Sequence, residues 1–292
     1  MTLIEEKLGK DQKRGVYLQK WGLREDPFNL ELPTPHAFVP IQREDLLKIL
    51  QHAREGKLGI LTGDLGMGKT TICEFLVAAL REESLLTTDP SSQVIPVLVR
   101  GAAYKSADEF LRAIILGLGL DASGDSAGLF EILRKWSQEH PEKLAVIVDD
   151  IPESGANLAE IGEFIRVLAD LPSISILLNG AVKQMKEFLT KVPALMDRVQ
   201  LHVELHPLGL AQIKELLDLR LKHSECTNPE GLLTSDVLEA IYRLSKGVPR
   251  SALKAAGSAI MYAARNDLVL DSRAVKKANR RPLFSRLLHF IR

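Results

Sequence analysis

The stretch GDLGMGKT, Gly63 to Thr70, sets three glycines, a lysine and a threonine at the spacing G-x-x-x-x-G-K-T. Glycine tolerates the backbone turns that point successive N–H groups inward, and a helix starting at the lysine adds its positive end, so the pattern is a cradle for phosphate. The backbone of Gly63, Asp64, Leu65, Gly66, Met67 and Gly68 is expected to wrap the phosphates of a nucleoside triphosphate. Lys69 is expected to reach the β- and γ-phosphates, Thr70 to offer its hydroxyl to Mg²⁺, and Thr71 to donate to the α-phosphate.

A second chemical signal is LAVIVDD, Leu144 to Asp150, five apolar residues closed by two acids. Adjacent carboxylates against an apolar strand are costly to keep charged without a cation. Asp149 is therefore the expected magnesium partner and Asp150 the group that orients the attacking water.

These residues need a scaffold, and the apolar pattern supplies one. LGILTG (58–63), VIPVLV (94–99), LAVIVDD (144–150), ISILLNG (174–180) and VQLHVEL (199–205) read as strands. TTICEFLVAALREE, SADEFLRAIILGL and LAEIGEFIRVLADL between them carry apolar residues at helical spacing. Strands buried on both faces and alternating with helices predict a parallel sheet sandwiched by helices, the α/β class. After Pro207 and Gly209 only amphipathic helices follow, so a small all-helical domain is expected. The expected divisions are an N-terminal arm at 1–20, the α/β domain at 21–206, a helical lid at 207–272 and a basic tail at 273–292.

Composition bounds the function. The chain has 292 residues, 46% hydrophobic and 26% charged, which excludes disorder over most of its length. Its two cysteines, Cys73 and Cys226, lie far apart, so neither a disulfide framework nor a zinc site is expected. The first residues mix charges where a secretion signal needs an apolar run, and no segment reaches the roughly 18 apolar residues of a membrane span. A cytoplasmic location is the expectation. Lys and Arg number 38 and so do Asp and Glu, yet seven of the basic residues and none of the acids fall in the last twenty positions. The preceding 272 residues thus carry a formal charge of minus seven. Within that tail PLFSRLLHFIR has the spacing of a short basic amphipathic helix, suited to an anionic membrane surface, a partner's groove, phosphate, or its own lid.

WGLREDPFNLELPTPHAFVP, GDLGMGKTT, LAVIVDD, ILLNG, LMDRVQLHVELHPL and GVPRSAL together resemble the AAA+ ATPases of the ExeA and TniB type, relatives of the origin-recognition ATPases, over residues 21 to about 265. The resemblance implies ATP and Mg²⁺ as ligands, and further roles. Asn179 matches the sensor 1 position beside the attacking water, with strand termination next to Gly180 as the alternative. Arg198 falls where such proteins carry an arginine finger for a neighbouring subunit, the alternative being an ion pair with Asp197 or Glu204. Arg250 matches sensor 2 on the helical lid, and a positive charge at a helix start, following Pro249, favours a nearby anion. Phe28, Val39, Pro40 and Arg43 match the region near adenine.

The departure is Asp150, where the group usually has Glu. One methylene less displaces the carboxylate, and errors near 1 Å cost about a hundredfold in rate, so slow hydrolysis is expected. The function implied is an ATP-binding switch that assembles with ATP into a homo-oligomeric ring or filament, a DNA-associated regulator of the transposition type. The alternative is an ATPase that drives assembly or positioning of a protein or membrane complex without direct DNA binding.

Overall fold

The five apolar runs form five strands: β1 (Leu58–Gly63), β2 (Val94–Arg100), β3 (Lys143–Asp149), β4 (Ile174–Gly180) and β5 (Val199–Leu205). The computed structural model describes residues 17–30, 43–152 and 157–280. All strand pairs are parallel, in the order β2-β3-β4-β1-β5. Every strand's C-terminal end therefore lies along one edge, where ligands of open α/β sheets bind. Residues 42–206 form one compact unit, and the residues before them join those from 207 onward in a second.

In the α/β unit the helices are α1 (Arg43–Glu55), α2 (Lys69–Leu86), α3 (Ala107–Gly117), α4 (Ser126–Glu139), α5 (Leu158–Ala169) and α6 (Val182–Lys191). Ser106 and Asp125 cap α3 and α4, accepting from Glu109 N and Gly128 N. Side chains alternate across a strand, and the two sheet faces are buried differently. Ile60, Val97, Val146, Ile176 and Leu178 pack with residues of α3 to α6 such as Phe110, Leu129, Ile165 and Phe188. The opposite face meets α1 and α2: Ser175 Oγ donates to Ala53 O at 2.8 Å, and Asn179 reaches Cys73.

His52 on α1 is buried, its Nε2 3.3 Å from Ile176 O. A Cβ added at Gly59 would lie 2.7 Å from that nitrogen, so the glycine lets the imidazole lie against β1. Burial lowers the imidazole pKa below its ordinary 6.5. The folded chain then prefers neutral His52, and its contribution to stability is complete above pH 6.5 and lost as pH falls through the lowered value. Thermal unfolding of His52→Gln, which keeps a donor and removes the charge, should show the parent's advantage shrinking between pH 7 and 5. A gap that is constant over this range refutes the assignment.

The second unit contains α7 (Leu210–His223), α8 (Pro229–Leu232), α9 (Ser235–Ser245), α10 (Pro249–Arg265) and α11 (Ser272–Ala278). Lys246 (φ 52°) and Gly247 (φ 81°) end α9 in the left-handed region. A Cβ at Gly247 would come within 2.3 Å of Leu208 O, so the position requires glycine. Pro249 then starts α10 at its first turn.

Two expected divisions are revised. Residues 21–30 were assigned to the α/β domain, but Leu23 and Phe28, with Tyr17, are buried in the helical core beside Leu221, Ile241 and Ile260. Trp21 Nε1 donates to Ile260 O at 3.1 Å. The reason is that Trp21, Leu23 and Phe28 are large apolar side chains for which the helical core, with its Ala-rich α10, has room. Likewise, part of the expected tail is structural: Asp271 caps α11 through Ala274 N at 2.7 Å, and Ala274 and Val275 are buried in the same core. Residues 281–292, with the amphipathic pattern, lie outside the described residues.

Candidate nucleotide site

β1 ends at Gly63, and the chain turns through residues 64–68 into α2. Gly66 (φ 85°) and Gly68 (φ 93°) both take the left-handed conformation that the phosphate cradle needs. Leu65 stands 80% exposed at the tip of the loop. Lys69 is buried, its Nζ donating to Gly63 O at 2.9 Å and Asp64 O at 3.3 Å. The ammonium is thus held within the curl of the loop. Thr70 and Thr71 follow in the first turn of α2.

The register of the sheet brings the acid to this loop. Asp149 ends β3, β4 lies between β3 and β1, and Asn179 on β4 pairs with Leu61 on β1. Asp149 Oδ1 accepts from Thr70 Oγ1 at 3.1 Å and from Asn179 Nδ2 at 2.5 Å. The reverse amide orientation would set two acceptors against each other, so Nδ2 must face the carboxylate. Asn179 Oδ1 is left buried with no donor. Burial, followed by the charge of Asp150, raises the Asp149 pKa, opposed by the Thr70 hydrogen bond and by Arg100.

A buried carboxylate that resists ionisation, a hydroxyl and an orphaned amide oxygen form a hard-oxygen cluster that suits Mg²⁺. Thr70 and Asp149 fit as the residues that would hold it. Asp150 is exposed and lies at φ 54° in the left-handed region, which Asp tolerates better than most residues. Ile151 N donates to Asn179 O at 2.9 Å, fixing the turn that carries it.

Arg198 is 3-10 helical at the end of Pro193–Arg198. Its ion pair is made with Asp170, Nε to Oδ1 at 2.8 Å and Nη2 to Oδ2 at 2.9 Å, rather than with Asp197 or Glu204. Twenty-eight residues separate the pair, so no local spacing announces it. Arg250 is exposed in the first turn of α10, with no hydrogen bond or ion pair among the described residues. Val39 and Pro40 lie outside the described residues, Arg43 begins α1, and Phe28 belongs to the helical core. Sequence reading missed two neighbours of the site. Cys73, one turn after Lys69 on α2, has its Sγ 3.4 Å from Asn179 Nδ2, and helical spacing was the available signal. Arg100 ends the strand that pairs with β3, in register with Asp149.

Residues 52–184 match the family model of the AAA domain. Over 248 residues the chain is 25% identical to general secretion pathway protein A of Aeromonas hydrophila, covering 80% of this chain and 42% of that protein, so it spans less than half of the relative's length. Its fold is similar to the Aeropyrum pernix ORC2 protein in its ADPNP-ADP complexes, with a TM-score of 0.68 and 18% identity over 88% of this chain and 72% of that one. It is similar also to the Aeropyrum pernix ORC1 protein in complex with DNA, with a TM-score of 0.64 and 21% identity over 88% and 69% of the respective chains. The glycine-rich loop before α2, the acid of β3 hydrogen-bonded to its threonine and the polar residue ending β4 all lie within residues 52–184, the part of the chain that matches the AAA domain.

Proposed function

We propose that the chain is an ATP-driven switch whose subunits assemble side by side when ATP is bound and separate after slow hydrolysis. The observation that carries this reading is the Thr70–Asp149–Asn179 cluster beside the loop of Lys69. Magnesium, when bound, supplies charge neutralisation to the phosphates, and Thr70 and Asp149 are its expected partners. Asn179 and Asp150 place the attacking water. Arg198 serves the nucleotide of a neighbouring subunit, and Arg250 is the helical unit's own phosphate contact. The γ-phosphate shifts the assembly equilibrium because it binds the assembled state better than the separated one.

The target is either duplex DNA, as for the DNA-bound ORC1 protein, or a protein or membrane complex, as the secretion-pathway similarity suggests. We favour DNA handling, with contacts made to phosphates along the assembly. No helix among the described residues is long and apolar enough to cross a membrane. The basic residues from Arg273 onward are the candidate contact for an anionic membrane surface or a protein partner.

Electron microscopy and light scattering with Mg²⁺ and a non-hydrolysable ATP analogue, with and without duplex DNA, test the reading. DNA-dependent rings or filaments are expected, and DNA-indifferent assembly supports the protein or membrane target. Arg198→Ala should abolish assembly while nucleotide affinity stays within about twofold, because a trans contact adds nothing to binding by a lone subunit. A variant that assembles like the parent removes Arg198 from this role. A chain ending at Arg280 tests residues 281–292 with α11 retained, whereas one ending at Ser272 would also remove Ala274 and Val275 from the helical core.

A further inference from the structure

Arg198 is held within its own subunit through all three of its guanidinium nitrogens. Besides the two-pronged pair with Asp170, its Nη1 donates to Ala194 O at 2.9 Å. A guanidinium has five N–H groups, so one remains on each terminal nitrogen where an incoming oxyanion can make first contact before it takes over the donors that Asp170 holds.

Asp170 follows the last turn of α5 and has other cations at hand. Arg166 Nη1 lies 3.6 Å from its Oδ2, and Arg166 also pairs with Glu163 at 2.7 Å. Lys57 is anchored on Pro172 O at 3.1 Å and on Leu171 O, and its charge acts on Asp170. Releasing Arg198 therefore does not strand the carboxylate, because Arg166 and Lys57 continue to balance it. The carboxylate is about half exposed, which keeps the cost of letting go small.

We propose that Asp170 is a latch on Arg198: it holds the guanidinium in the separated subunit and yields it to the neighbour's nucleotide phosphate on assembly. This rests on the reading of Arg198 as a trans contact. It makes Asp170 a positioning residue that sets the protein concentration at which ATP drives assembly, in competition with phosphate for the same donors.

The test measures the protein concentration for half-maximal assembly of the full chain, by light scattering with Mg²⁺ and a non-hydrolysable ATP analogue. Asp170→Asn removes the competing charge and should lower that concentration about two- to fivefold, the span of an exposed ion pair, with nucleotide affinity per subunit unchanged. Arg166→Gln leaves Asp170 more tightly committed to Arg198 and should raise it.

A purely structural role for the pair predicts the opposite for Asp170→Asn, since loosening the contact between α5 and residues 193–198 would hinder assembly. An unchanged or raised threshold in a folded Asp170→Asn, with Arg198→Ala still unable to assemble, overturns the latch and leaves the trans contact standing. If Arg198→Ala assembles like the parent, the trans contact itself fails. Should thermal unfolding show that Asp170→Asn does not fold, Arg166→Gln decides alone, and a threshold equal to the parent's overturns the latch.

Discussion

Asp150→Asn is expected to lower steady-state ATP hydrolysis about 10²- to 10³-fold while leaving ATP affinity nearly intact. A positioned general base contributes roughly 10²- to 10⁴-fold, and the amide keeps the shape of the side chain but cannot accept a proton. Nucleotide binding is spared because the loop glycines, Lys69, Thr70 and Asp149 are separate from it. Single-turnover hydrolysis together with equilibrium binding of a labelled analogue separates the two effects. A loss below tenfold removes Asp150 from the chemistry.

Asp150→Glu is the complementary change and should speed turnover, since it restores the missing methylene. The left-handed backbone at φ 54° tolerates Asp better than Glu, so this variant should also be less stable. Faster turnover with a lower unfolding midpoint is the expected pair of results. An unchanged or reduced rate removes the short carboxylate as the cause of slow hydrolysis.

Lys69→Ala is expected to weaken ATP binding by about 30- to 3,000-fold. The ammonium is buried in the loop and held by Gly63 O and Asp64 O, so it reaches phosphate with little reorganisation. Truncating one member of a buried, hydrogen-bonded charge pair costs about 2–5 kcal/mol, and each 1.4 kcal/mol is tenfold. Thermal unfolding without nucleotide should show a fold close to the parent's, because the lost bonds go to carbonyls at the edge of the sheet. Fluorescence anisotropy with a labelled ATP analogue measures the affinity. A change within threefold would mean that phosphate is held by the loop backbone alone.

The nucleotide loop and its acid were legible because both lie on continuous stretches. A strand buried on both faces has to be apolar throughout, and the polar residues that interrupt it at its C-terminal end, Asp149 and Asn179, then stand out. The helices α1, α4 and α6 were less legible: their apolar faces are narrow and interleaved with charge, as in REDLLKILQHARE and VKQMKEFLTK. The segment 21–30 was misplaced because nearness in sequence to the α/β domain does not say which core has space for Leu23 and Phe28.

By itself the sequence determined the parallel α/β architecture and marked the glycine-rich loop and the acid ending β3 as the candidate site, since each follows from local spacing and from what a buried strand tolerates. Tertiary structure decided the rest. Parallel pairing through β4 set Asn179 against Asp149 and left its Oδ1 without a donor. Packing of Ala274 and Val275 turned part of a basic tail into core. The fold likewise brought Asp170 to Arg198 across 28 residues of chain. An ion pair so distant in sequence has no periodicity to announce it, because only folding brings the two charges together.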